Sequence, residues 1–178
     1  MSSQDAGALV LEVREDGDVE FEKLLEPVLQ PGYRLACGML HDPAAAEDAV
    51  QQAAVKAWRK LGRLRPGEPM RPWFLGIVAN ECRNLQRSKW WSVLKGAPAE
   101  FPSRDTSADA VLGAIELRRA LRSIGEEKRL VVVLHWYLDL PLDEIAAITR
   151  TSVHAVESRL RRGMDELRRR LEASDAER

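Results

Sequence analysis

The chain has 178 residues, 45% of them apolar, and a formal net charge of −1. That length allows one domain or two small ones, and the apolar content excludes a disordered polymer. No apolar run approaches the ~20 residues of a membrane span, and no basic-then-apolar segment opens the chain as a signal peptide would. Cys37 and Cys82, far apart and without a CxxC, give no disulfide framework, so a reducing, cytoplasmic setting is expected.

The near-zero charge is a sum of segregated signs. The first thirty residues are acidic, residues 59–95 are basic, and the last helix is basic again. Two basic zones in a neutral protein point to two contacts with a polyanion, the plain alternative being solvated helix faces.

Taken in chain order, residues 1–17 mix Ser, Gly, Asp and Glu and are expected to fray. Residues 18–40 read as helix, with Phe21, Leu24, Leu25, Val28 and Leu29 on one side. Pro27 and Pro31-Gly32 are expected to kink or divide it, because proline removes a backbone donor and crowds the preceding turn. Asp42-Pro43 is a helix start, a capping carboxylate followed by a proline suited to the first position. Residues 43–61 follow as a strong helix with Ala46, Val50, Ala53, Ala57 and Leu61 at helical spacing. Two glycines and three prolines make 62–72 a loop, and 73–91 is helical again, with Phe74, Ile77, Val78, Cys82 and Leu85 on the apolar side.

Residues 92–107, SVLKGAPAEFPSRDTS, have linker composition. Beyond them, 108–124 and 126–138 are predicted helices. The second contains a run of valines that favours strand, but it has no partner strand nearby. The predicted architecture is all-α: a helical domain over 18–91, a flexible linker over 92–107, a second helical domain over 108–172, and a tail over 173–178. Each domain buries a modest core, so each alone should be marginally stable.

The second domain ends in a helix-turn-helix. Leu142, Ile145, Ala146 and Ile148 form the buried side of its first helix, with Asp143 and Glu144 in the first turn, where the helix dipole favours them. The break is Thr149-Arg150-Thr151-Ser152, and Ser152 is placed to cap the next helix. That helix buries Val153, Val156, Leu160, Met164, Leu167 and Leu171. Early residues of a recognition helix reach base edges, and flanking arginines grip phosphates. His154, Glu157 and Ser158 are therefore assigned to bases, with Arg161 able to join them. Arg150, Arg159 and Arg162 are assigned to phosphates. Glu157 is tolerable there if it accepts a hydrogen bond from a cytosine amino group. An amphipathic hairpin packing on another protein is the alternative.

On the helix over 73–91, Trp73, Asn80, Asn84, Arg87 and Trp91 lie near one line, with Arg83 beside it. Rings for stacking, amides for base edges and guanidinium groups for phosphates suit single-stranded or locally opened DNA. Arg63, Arg65 and Arg71 in and beside the preceding loop could shape a pocket for an extruded base. The alternative is that Trp73 and Trp91 cap the core. Cys37 and His41 have a zinc-compatible spacing but would need Cys82 or His135 to complete a site, and lone cysteines are usually small buried apolar groups. With no nucleophile–base grouping and no phosphate loop, neither catalytic activity nor a metal or cofactor is expected.

The order of these segments resembles the extracytoplasmic-function (ECF) sigma factors of bacteria. AEDAVQQAAVKAWRKL at 46–61 is similar to their core-binding helix, RPWFLGIVANECRNLQR at 71–87 to the helix that meets the minus-ten element, and LRRALRSIGEEKRLVVVLHWYLDLPLDEIA with SRLRRGMDELRRRL to their minus-thirty-five domain. The resemblance spans about residues 19–171. It implies binding to core RNA polymerase through Glu47, Asp48, Gln51 and Gln52, recognition of a flipped minus-ten base by the loop over 62–71, and contact of Asn80, Arg83 and Asn84 with the opened non-template strand. It further implies a linker running toward the RNA exit path, promoter DNA as partner, and an anti-sigma factor as a further partner. The chain departs from the family at the break, where Thr149 and Arg150 replace leucine-glycine, and in the recognition helix, where His154, Ala155, Val156 and Glu157 replace Gly-Thr-Val-Lys. Ile124-Gly125 stands where the family has leucine-proline. Two rival readings are an autonomous helix-turn-helix regulator whose residues 19–91 sense or dimerise, and an inhibitory protein that sequesters a partner. Promoter binding with and without core polymerase separates the first rival from a sigma factor. The second predicts no transcription from the chain plus core.

Overall fold

A computed structural model describes residues 3–65, 67–88 and 108–176, with side chains described over 19–65, 67–88 and 115–173. Trp91, the expected linker over 92–107 and the last two residues of the tail lie outside these residues. The helices are α1 (Ser3–Leu40), α2 (Pro43–Lys60), α3 (Met70–Arg87), α4 (Ala108–Ser123), α5 (Glu126–Val132), α6 (Leu142–Thr149) and α7 (Val153–Ala176). A 3-10 turn, Leu61–Arg63, closes α2, and one π-helical turn, Val133–Tyr137, extends α5. The valine run is helical, as its neighbours require. No described helix is long and apolar enough to cross a membrane.

α1 corrects an expectation. It is one helix through both Pro27 and Pro31. Pro27 is exposed and Pro31 half-buried, and the carbonyls these prolines leave without a donor belong to exposed Lys23 and Pro27. Water can serve those carbonyls, so the lost bonds cost little and the buried face continues unbroken through Val28, Leu35, Ala36, Met39 and Leu40. The segment expected to fray, 1–17, falls from Ser3 onward within the backbone of α1, and its side chains are outside the description. His41 ends the helix in the left-handed region at φ 56°, its N–H donating to the Cys37 carbonyl at 2.9 Å.

α2 starts as its sequence dictates. The Asp42 carboxylate accepts the Ala45 N–H at 3.1 Å, and Pro43 occupies the first turn. Its buried side is almost all alanine, which lets α1 and α3 approach closely. α3 begins at Met70, three residues earlier than the predicted 73. Pro72 sits in its first turn, where an N–H has no helical partner to lose.

The two helical regions do not keep separate cores. One buried cluster runs from Phe21 through α1, α2 and α3 into Leu130, Val131, Val133, Leu134, Leu138, Leu140, Ile145, Ile148 and Val156. Gly38 makes that approach possible. A Cβ there would stand 2.7 Å from Val133 Cγ1, and its three nearest neighbours would all be atoms of Val133. Among the described residues, only Ala120, Ile124, Val132 and Leu167 form a buried cluster private to the second region. Although the core is continuous, Asn80 and Arg161 remain exposed.

Candidate nucleic-acid and polymerase interfaces

Glu47, Asp48, Gln51 and Gln52 are all exposed, on successive turns of α2 opposite the alanine face. Two residues that the polar pattern did not single out prolong this surface. Val55 is 44% exposed and Trp58 41% exposed, and the Phe21 ring meets the Trp58 ring edge-on at 5.1 Å. Their signal was present in the sequence as apolar residues out of phase with the alanine stripe. Beneath, the Lys56 ammonium holds the Glu81 carboxylate at 2.6 Å, which accounts for a buried glutamate on α3.

The expected minus-ten residues divide. Arg63 and Arg65 stand exposed on the loop between α2 and α3, whose turn needs Gly67 at φ 83°. Asn80, Asn84 and Arg87 are exposed along α3. Trp73 is not a free stacking platform, being half-buried and packed on the core. The reason is its place at the start of α3, beside the cluster that α1 and the second region share. Arg83 and Arg71 are engaged as well. The Arg83 Nε donates to Glu126 at 2.9 Å, Glu127 lies 3.9 Å from its guanidinium, and Asn80 Oδ1 accepts from it at 3.4 Å. Arg71 lies 3.7 Å from Glu144.

The helix-turn-helix is built as its residues require. Arg150 takes the left-handed conformation, φ 53° and ψ 45°, where glycine is the easy choice. The Thr151 N–H donates to the Ala146 carbonyl at 3.1 Å, and the Thr149 hydroxyl donates to the Ile145 carbonyl at 2.7 Å, so the corner closes without glycine. Ser152 Oγ accepts the Ala155 N–H at 3.2 Å, which is the expected cap. On α7, His154 is 93% exposed, with Glu157 3.8 Å away, and Arg161 and Arg162 are exposed. Ser158 is half-buried, and its carbonyl accepts from Arg162 Nε at 3.1 Å. Arg159 departs from its expected role. Half-buried, it holds Glu127 at 2.7 Å and donates to the Thr151 hydroxyl at 3.4 Å, so in this structure it braces α5 and the turn instead of facing outward.

Burial pushes the Cys82 thiol up to about 12, with Glu81 adding to the effect, and raises Cys37 as well. Both thiols are free and buried. Among the described residues no three His, Cys, Asp or Glu side chains gather as a metal site, so Cys37, His41, Cys82 and His135 do not form the weighed zinc set. Arg129, lowered by burial, donates to the carbonyls of Leu121, Ile124, Arg122 and Met39.

Two family models match the chain, sigma-70 region 2 over residues 24–92 and sigma-70 region 4 over residues 114–167. The chain is similar to the RNA polymerase sigma factor SigV of Bacillus subtilis, 29% identical over 150 residues that cover 82% of this chain and 87% of that protein. It is 30% identical to the RNA polymerase sigma factor CarQ of Myxococcus xanthus over 138 residues, covering 73% of this chain and 76% of that one. Among solved structures, the sigma factor RpoE in complex with the anti-sigma factor NepR from Bartonella quintana has the same fold. Its TM-score is 0.71 at 23% identity, over 86% of this chain and 97% of RpoE.

Proposed function

The chain belongs to the extracytoplasmic-function RNA polymerase sigma factors, and from that premise we propose how its residues divide the work. As a sigma factor it binds core RNA polymerase and directs it to promoters. Glu47, Asp48, Gln51 and Gln52 meet the polymerase, and the apolar extension at Val55 and Trp58 supplies area that the polar residues cannot. Asn80, Asn84 and Arg87, with Arg63 and Arg65, receive the opened minus-ten strand. Arg71 and Arg83 join them once released from their carboxylate partners. α7 enters the minus-thirty-five major groove, with His154, Glu157, Ser158 and Arg161 toward bases and Arg150 and Arg162 toward phosphates. Residues 18–91 and 108–172 act as the two functional domains, joined by 92–107. An anti-sigma factor, the class of partner bound to RpoE in its solved complex, is proposed as regulator.

The observation that carries this reading is the separation of polar surfaces. The α2 face, the α3 line and the start of α7 are each exposed, while the opposite faces of the same helices are packed in the core. Run-off transcription over a genomic library with purified core enzyme tests it. A discrete set of transcripts dependent on the chain is expected, and their absence with active core would refute the assignment.

A further inference from the structure

We propose that α7 reads a cytosine through the Glu157 carboxylate and a guanine on the neighbouring base pair through Arg161, and that these two bases set the minus-thirty-five specificity of this chain. The inference deepens the reading of α7 as the major-groove helix and rests on it. An acidic side chain early in that helix is the feature to be explained. The Glu157 side chain is 53% exposed on the second turn of α7, and a carboxylate among phosphates is repelled unless a donor meets it. Two neighbouring arginines are engaged elsewhere. Arg159 is held by Glu127 at 2.7 Å, and Arg162 donates to the Ser158 carbonyl at 3.1 Å. The His154 Nδ1 lies 3.8 Å from Glu157 Oε2, beyond hydrogen-bond length. The carboxylate therefore keeps its capacity to accept from a base.

The major groove narrows what that base can be. Donors stand there on cytosine N4 and adenine N6, whereas guanine O6 and thymine O4 are acceptors and repel a carboxylate. Adenine sets its N7 acceptor beside the amino group, against the second carboxylate oxygen, and cytosine has no acceptor in that place. Cytosine is therefore the base that suits Glu157. Arg161 follows one turn later and is exposed. Side chains three or four residues apart reach successive base pairs when a helix enters the groove at an angle. The Arg161 guanidinium matches the N7 and O6 acceptors of guanine. One turn before Glu157 on the same strip, Val153 is 41% exposed. An apolar side chain gains nothing from a phosphate but can meet a thymine methyl, which sets this strip toward base edges. The strip projects from a fixed frame, because Ser152 Oγ accepts the Ala155 N–H at 3.2 Å and Val156 is fully buried.

Holoenzyme assembled from core polymerase and the full chain tests this on a promoter from the run-off screen whose minus-thirty-five segment is randomised. Bound duplexes are recovered and sequenced. The parent should enrich cytosine about tenfold over guanine or thymine at one position, with guanine enriched on either strand at the adjoining position. Glu157→Gln should move the first preference to adenine, whose N6 and N7 suit an amide, and Glu157→Lys should move it to guanine. Both exchanges should leave the second preference in place, and Arg161→Ala should erase the second alone. Glu157 and Arg161 are exposed, so these exchanges spare the core. A parent element without the two adjoining bases, or Glu157 variants that enrich the parent's bases whatever their overall affinity, overturns the inference while α7 remains the minus-thirty-five reader. A parent pool with no enriched position removes the reading of α7 itself, and the inference with it.

Discussion

The first helical region is closed upon itself, and the second is not. In α1 to α3, Leu35, Ala36, Met39, Leu40, Ala46, Ala49, Ala53, Phe74 and Val78 have no measurable exposure. Among the described residues, the second region commits Leu130, Val131, Leu134 and Ile145 to that same core and keeps only Ala120, Ile124, Val132 and Leu167 for itself. A region with so small a private core needs another surface to cover α5 and α6. In this structure the first region is that surface. Charge divides in the same way, the first region presenting arginines and the second supplying carboxylates to hold them.

The contrast can be broken most forcefully at Leu134, fully buried at the junction. Leu134→Ala should cost about 2–5 kcal/mol, read by urea unfolding. Because the cluster is shared, signals from both regions should shift together, and a shift confined to the second region would contradict a common core. A smaller loss, about 0.5–2 kcal/mol, is expected for Asp42→Ala, which removes the α2 cap. It should leave minus-thirty-five binding by holoenzyme intact. Arg150→Gly sharpens the comparison from the other side. Relief of the left-handed conformation should stabilise the chain by about 1 kcal/mol, while the lost phosphate contact lowers the salt slope of promoter binding by about one. Equal stability with an unchanged slope would place Arg150 off the DNA.

The smallest effect concerns the thiols, both of which belong to the first region. Their raised pKa values keep them protonated, so alkylation at pH 8 should be slow in the native chain and rapid in denaturant. The sign for stability follows from the same shift. The folded Cys82 pKa is raised from 9.0 to about 12, so its contribution is full below the unfolded value and lost as pH rises through that interval. Rapid native labelling would show that the first region opens as easily as the second.

Much of this was legible in the sequence because it is local. Asp42 and Ser152 cap the helices their positions predict, and helical spacing marked the apolar faces of α2, α3 and α7, except that Val153, read as buried, is 41% exposed at the start of α7, before the helix meets the core. What was hidden depends on contacts between distant segments. Periodicity says which face of α5 is apolar but not that α1 covers it. The continuity of α1 turns on exposure of Lys23 and Pro27, whose carbonyls the prolines leave without donors, and only packing decides that. Arg83 looked like a nucleic-acid contact and Glu126 carried no assignment, and nothing in either stretch says that they meet across 43 residues. Trp73 was placed by angle on the polar line, yet a ring of its size at the edge of that line reaches the core.

The most direct test measures the affinity of the intact chain for one of its own promoter duplexes, with and without core RNA polymerase. Specific binding should be found only with the enzyme present, because on the proposed reading the two regions share one core in the free chain and must be held apart to reach the two promoter elements. Tight, sequence-specific binding by the chain alone would contradict the account.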